Sequence, residues 1–230
     1  MNYDIVIRCF NEAHWLEKTH KAINLQKSRP NKIVFVDSGS NDGSIRLAKK
    51  FNWHIINYEE KPFNYSKSLN IGISNSESDL VMILSAHCII TNELGAINMI
   101  KEFKDDKIAA VFGRQLPTQN STSHDVRDLL TVFGRERLVY SAYPFFHNAF
   151  AMIRRNCWRI KNFNEKVNGI EDRIWAREIT QLGYNVIYQP NAAVYHEHGL
   201  NHGTSKKRAD RVVKALKILH EDDCINWPNH

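Results

Sequence analysis

A chain of 230 residues with 43% hydrophobic content buries one sizeable core, so one compact domain with appendages is expected and a second independent domain is not. The net charge of +6 is local: between Thr204 and Leu219 the basic residues Lys206, Lys207, Arg208, Arg211, Lys214 and Lys217 face only Asp210, which disfavours the broad positive face of a nucleic-acid-binding domain. The four cysteines lack CxxC spacing, which argues against a zinc ribbon or secreted disulfide framework and reads as reduced thiols.

Residues 4–9 form a β-branched apolar run, predicting a strand buried on both faces. Asn11 follows where a helix N-cap belongs, and Ala13, Leu16, His20, Ile23 and Asn24 recur at helical spacing, with Pro30 closing the segment. A second apolar run, 33–36, stops abruptly at Asp37, and the polar loop 38–43 leads into a helix from Ser44 to about Phe51. A third short strand, 54–57, is then predicted, and this alternation of strand and helix implies a parallel sheet with right-handed crossovers. Residues 58–73 read as a loop containing Pro62 followed by a helix.

A further buried strand, 80–84, carries Ser85, Ala86 and His87 at its end. Thr91 is placed to cap a helix reaching about Phe103; residues 108–112 predict a strand, and Gly113, Arg114, Gln115 and Pro117 a break. Mixed charge and poor periodicity across 124–140 suggest a mobile helix or loop. Residues 169–172 open a helix carrying Ile174, Trp175, Glu178, Ile179 and Leu182 to a stop at Gly183. The strand 188–195, interrupted by Pro190, suggests an edge or a bend and delivers His196, Glu197 and His198, with His202 shortly after.

Several of these positions carry two readings. In an open parallel sheet the ligand crevice lies beyond the carboxyl ends of the strands, so Asp37 faces a ligand there; equally, Asp37 and Asp42 are the short polar side chains that shape turns and cap helices. Glu171 and Asp172 in a first helical turn are stabilised by the helix dipole, and adjacent carboxylates at a crevice also suit proton abstraction from a hydroxyl. Alternation puts His196 and His198 on one face, inviting a metal, while the same rings serve as donors to phosphate.

The block VDSGSNDGS between strand and helix resembles the nucleotide-sugar signature of family 2 glycosyltransferases. Later blocks follow in order: LSAH, PFFHNAFAMIRRNCW, and the ED pair with WA, GY and YQPNAAVYHEH, which together resemble the rhamnosyltransferase-like branch. The resemblance covers most of the chain. It implies a GT-A fold, with Asp37 contacting the base and Asp42 supporting the loop or ribose. Asn11, Glu12, Ser38, Lys67, Asn70, Ser85 and Ala86 then fall at the nucleotide sugar, and Asn148 lines the sugar and acceptor pocket. Lys67 either offsets diphosphate charge or is a solvated surface lysine. Phe145 and Phe150 read as core filler. Most GT-A enzymes have DxD where this chain has Ser85-Ala86-His87; a DxH-like use makes His87 a metal ligand completed by His196, or less directly His198, although losing both carboxylates weakens a Mg²⁺ site. The expected cofactor is a divalent cation, Mn²⁺ more readily than Mg²⁺.

No GxGxxG follows the first strand and no GxxxxGK[ST] occurs, which disfavours a dehydrogenase and a P-loop NTPase. The expected architecture is an α/β GT-A domain over 1–199, a mostly parallel sheet with helices on both faces, followed by a basic helical tail over 200–230. The expected function is inverting transfer of a sugar from a nucleoside-diphosphate donor to a hydroxyl of a saccharide or lipid-linked acceptor, in bacterial surface polysaccharide synthesis. The alternative is a catalytically silent sugar-nucleotide-binding or assembly subunit. With no apolar stretch of about 18 residues and no leader-like start, the expected location is cytoplasmic. Val212, Val213, Leu216 and Leu219 make an apolar stripe among the tail's cations, suited to the inner membrane face or to packing on the domain or a second subunit.

Overall fold

Apolar runs that do not alternate must be covered on both sides. In the computed structural model, which describes residues 1–197 together with 210, 212, 213 and 216, strands β1 (Tyr3–Cys9), β2 (Ile33–Asp37) and β4 (Leu80–Ser85) bury nearly every side chain. With β3 (His54–Asn57) they form a parallel half-sheet, β2 pairing β1 and β3, and β1 pairing β4. The other half is mixed: β8 (Phe150–Arg154) runs antiparallel to β4 and β6 (Ile108–Leu116), and β9 (Asn185–His196) lies parallel to β6. The short strands β5 (Cys88–Ile90) and β7 (Leu138–Tyr140) pair with opposite ends of β9. The described residues thus form one nine-stranded sheet, ordered β3-β2-β1-β4-β8-β6-β9-β5, with β7 beside β9.

Helices cover both faces. Leu16 and Ile23 of α1 (Ala13–Asn24) and Ala96 and Met99 of α4 (Gly95–Ile100) pack with Ile5, Ile7, Met82 and Leu84, as does Leu47 of α2 (Ser44–Lys50). On the opposite face Leu69 and Ile73 of α3 (Tyr65–Ser74), Leu129 of α5 (Ser123–Val132), Trp158 of α6 (Arg155–Ile160) and Trp175 and Ile179 of α7 (Glu171–Gln181) pack with Val6, Val34, Ile83 and Phe112. Cys9, Cys88 and Cys157 are buried free thiols, and burial raises the first and last to about 11.

Four expectations change. Asn11 does not cap α1: its φ is +56°, and the Ala13 amide is taken by Asp42 from the next loop. Thr91 does not cap the next helix: it follows the short strand β5 and donates to the Ala193 carbonyl, and the helix begins only at Gly95. Strand β6 continues past Gly113 to Leu116 through a shift in its register with β9, and Pro190 sits in that shift rather than on an edge. Residues 124–140 include an ordered helix, α5, whose N-cap Thr122 accepts from the Asp125 amide. The expectations for His198, His202, Leu219 and the tail cations lie outside the described residues; Val213 is exposed and Val212 and Leu216 are half-buried. No helix among the described residues is long and apolar enough to cross a membrane.

The register shift depends on Gly113, where a Cβ would press on the Phe150 ring and lie 2.5 Å from the Ala192 carbonyl oxygen. Backbone cannot yield as a side-chain tip can, so Gly113→Ala is expected to destabilise the domain by about 1–3 kcal/mol. A chemical denaturation midpoint equal to that of the unmodified chain would show that β6 and β9 separate there at little cost.

Candidate active site

The loops after β1 and β2 are built as one unit. Asn11 donates its amide to Ser40 Oγ (2.9 Å) and accepts the Asn41 amide at its own Oδ1 (2.8 Å), while the Glu12 amide donates to Ser44 Oγ at 3.0 Å. Asp42 accepts from the Ala13 amide at 2.8 Å and from the Ser44 amide and hydroxyl. Burial opposes ionisation of Asp42, but these hydrogen bonds outweigh it and hold its pKa below the usual value. Asp42 therefore supports the loop, and Asn11 is spent in it.

Asp37, at the carboxyl end of β2, does two things at once. Its Oδ2 accepts from the Gly39 and Ser40 amides at 2.9 and 2.8 Å, which is turn chemistry; its Oδ1 is buried with no partner among the described residues. A buried carboxylate oxygen left without a donor demands a ligand or water. Ser38, half-buried, follows with its amide donating to the Cys9 carbonyl.

Two of the other residues expected at the nucleotide have partners within the protein. The side-chain amide of Asn70 donates to the Phe163 carbonyl and Glu165 and accepts from Trp158 Nε1 and the Phe163 amide, so its hydrogen bonds tie α3 to the segment before α7. Lys67 is paired with Glu60 at the surface. Ala86 is buried, its carbonyl accepting from the Thr19 hydroxyl, and Ser85 is half-buried with its amide donating to the Ala149 carbonyl.

Glu12 performs a task the sequence did not reveal. Its Oε1 lies 2.8 Å from His87 Nδ1, so an ionised Glu12 makes that nitrogen the donor. His87 Nε2 lies 3.1 Å from Nε2 of His196, which is 2% exposed, and His196 Nδ1 lies 2.7 Å from Gln115 Oε1. Gln115, fully buried, continues to His147 Nδ1 at 3.0 Å. Gln115 and His147 were missed as site residues; the only signal was a polar residue inside a buried strand.

This arrangement fits a metal. With both Nδ1 atoms donating outward, the two Nε2 atoms at 3.1 Å have room to share one positive charge, a proton or a metal ion. Two imidazole nitrogens about 2.1 Å from one ion stand about 3.0–3.4 Å apart in ordinary coordination geometries. Metal-bound imidazoles also characteristically donate their other N–H to a carboxylate or amide oxygen, as here. No group of three or more His, Cys, Asp or Glu side chains that could hold a metal occurs among the described residues.

The carboxylates open α7 after Gly169 and Ile170, both at positive φ. Asp172 Oδ2 accepts from the Asn148 amide at 3.0 Å and Oδ1 from the Arg173 amide at 2.9 Å. Glu171 has only Arg8 Nη1 at 3.6 Å as an ionic partner. Burial first, then the Asp172 charge, raise Glu171 to about 7, with Arg8 opposing. Of the two adjacent carboxyls, Glu171 is therefore the one whose proton is held more tightly than usual. The Asn148 side chain, 3% exposed, lies against Glu171 and opposes the rise of its pKa. Phe150 is fully buried core, whereas Phe145 is half-buried beneath the Arg173 guanidinium, 4.6 Å from its ring centre.

Because the folded chain holds the Glu171 proton to higher pH than the unfolded one, stability falls as pH rises from about 4.5 to about 7. The loss reaches at most roughly 3 kcal/mol. Denaturation curves for Glu171→Gln are expected to be flatter than wild type across that interval, and parallel curves would return Glu171 to an ordinary ionised carboxylate.

The profile described as Glycosyl transferase family 2 matches residues 4–160. The O-antigen chain rhamnosyltransferases RfbN of Salmonella typhimurium and WbaN of Salmonella anatum are 29% and 28% identical over 210 residues, covering 86% of this chain. This chain spans about two thirds of their length (67% and 66%). Among solved structures, the mannosyltransferase PcManGT of Pyrobaculum calidifontis, in complex with GDP-Man and Mn²⁺, matches 99% of this chain and 65% of its own, with TM-score 0.70 and 20% identity. GalNAc-T7 with UDP, GalNAc and Mn²⁺ matches 95% and 48%, with TM-score 0.69 and 17% identity. The sheet order, the loop unit at Asp37 and these likenesses lead to one conclusion: the chain belongs to glycosyl transferase family 2 and is a glycosyltransferase with the GT-A fold.

Proposed function

We propose that this chain transfers a deoxyhexosyl residue from a nucleoside-diphosphate sugar to a hydroxyl of a saccharide or lipid-linked saccharide, with inversion at the anomeric carbon. The observation that carries this reading is the pair of Nε2 atoms at 3.1 Å, turned toward each other by Glu12 and Gln115 in a family whose reaction expels a diphosphate. The rhamnosyltransferase relatives support the sugar class and a role in surface polysaccharide synthesis.

Each step falls to a group already placed. The unpartnered Asp37 Oδ1 accepts from the nucleotide, and the buried Asn148 side chain, beside Glu171, meets sugar or acceptor hydroxyls. Asp172 takes the proton of the acceptor hydroxyl as its oxygen bonds to the anomeric carbon and the bond to the diphosphate oxygen breaks. Glu171, raised to about 7 by burial and the Asp172 charge, keeps its proton only below that pH. His87 and His196 would hold a divalent cation, Mn²⁺ more readily than Mg²⁺, with diphosphate oxygens completing its coordination. Such an ion, when bound, neutralises charge on the leaving diphosphate.

Asp172→Asn is expected to lower turnover by roughly 10² to 10⁴ while leaving nucleotide affinity within a few fold. The assay is release of nucleoside diphosphate from a panel of nucleotide sugars, with and without saccharide acceptors. Unchanged turnover removes Asp172 from the mechanism. Binding without turnover in the unmodified chain, across donors and acceptors, favours the silent sugar-nucleotide-binding subunit.

The cation is tested separately. Excess EDTA is expected to abolish transfer and Mn²⁺ to restore it. Full activity in EDTA leaves His87 and His196 as direct phosphate contacts.

A further inference from the structure

We propose that Gln115 is the positioning residue that sets the tautomer of His196 and so turns the His87–His196 pair into a cation site, which extends the cation reading above. An imidazole offers a metal only the nitrogen that carries no proton. Which nitrogen that is in His196 depends on what faces its Nδ1, and the facing atom is an amide that presents either its oxygen or its NH₂.

The choice is made two residues away. The Ala149 amide lies 3.2 Å from His147 Nδ1 and is a donor, so His147 Nδ1 is an acceptor. Gln115, 3.0 Å from the same nitrogen, must therefore present its NH₂ to it. Its oxygen is then left for His196 Nδ1 at 2.7 Å, which must carry the proton. Flipping Gln115 would set its oxygen against the His147 acceptor and its NH₂ against His196, breaking the pattern at both ends. Gln115 is fully buried and His196 is 2% exposed, so water is poorly placed to substitute for either bond. A backbone amide at the start of β8 thus dictates, through two side chains, that His196 Nε2 faces His87 as a lone pair. The more direct partner of His87 is the Glu12 carboxylate, at 2.8 Å from its Nδ1.

The test uses the full chain labelled with ¹⁵N. Histidine ring correlations at mildly alkaline pH distinguish the Nδ1–H from the Nε2–H tautomer, with His196→Gln assigning the signals, and titration with Mn²⁺, alone and with inorganic pyrophosphate, reads affinity by electron paramagnetic resonance. The unmodified chain is expected to hold His196 as Nδ1–H. Gln115→Leu, which keeps shape but removes the acceptor, should move His196 toward Nε2–H and weaken Mn²⁺ binding by about 10- to 100-fold. Gln115→Glu keeps an oxygen for His196 and should retain the tautomer, its second oxygen taking a proton to meet the His147 acceptor. If Gln115→Leu does not fold, His147→Phe carries the test: it frees Gln115 to flip and should mix the tautomers.

An unchanged His196 tautomer in folded Gln115→Leu, or in His147→Phe where that variant carries the test, overturns the proposal. If the unmodified chain takes up no Mn²⁺ even with pyrophosphate, the cation reading falls, and the tautomer measurement still decides whether Gln115 sets the ring.

Discussion

Strand β8 runs against β4, so its first residues arrive where β4 ends: the Ser85 amide donates to the Ala149 carbonyl, and Leu84 pairs with Phe150. That reversal within an otherwise parallel neighbourhood is what the site depends on. Residues 147–149 are delivered to the carboxyl edge of the sheet, and each has a separate task. His147 engages Gln115, the Asn148 amide holds Asp172, and Ala149 bridges to β4 while its amide orients His147. A purely parallel sheet would have to supply those contacts from a long, flexible loop.

The electrostatics follow from this geometry. Two adjacent carboxylates cannot both ionise cheaply in a buried place, and burial together with the Asp172 charge raises Glu171. The Nε2 atoms of His87 and His196 meet at 3.1 Å, and the consecutive residues His147 and Asn148 reach both places, the first through Gln115 and the second through Asp172. Ser85-Ala86-His87 offers an imidazole nitrogen where a DxD triplet offers carboxylate oxygens.

Much of the fold was legible. Residues 33–37 end in a carboxylate and a polar loop, and the structure places β2 and Asp37 where that pattern predicts; residues 54–57 coincide with β3. The misreadings have local causes. Residues 88–90 continue an apolar run, and only pairing with β9 makes them a strand. Gly113 looked like a stop because glycine often is one; here it admits the Phe150 ring and lets β6 shift register and continue. Asn70 and Lys67 sat at the right positions in the chain, but their partners, Trp158, Phe163, Glu165 and Glu60, were invisible without the packing.

The sequence by itself determined the strand–helix alternation, the carboxyl-end acidic residue Asp37, the ED pair at a helix start and the presence of histidines near two strand ends, because each is a local pattern of residue type and period. Only the tertiary structure decided which oxygen of Asp37 remains unpaired, which carboxyl of the ED pair holds its proton more tightly than usual, and which nitrogens of His87 and His196 face each other. Those outcomes are matters of burial and hydrogen-bond direction. They depend on groups 75 and 81 residues apart in the chain, Glu12 with His87 and Gln115 with His196, and no spacing rule reaches that far.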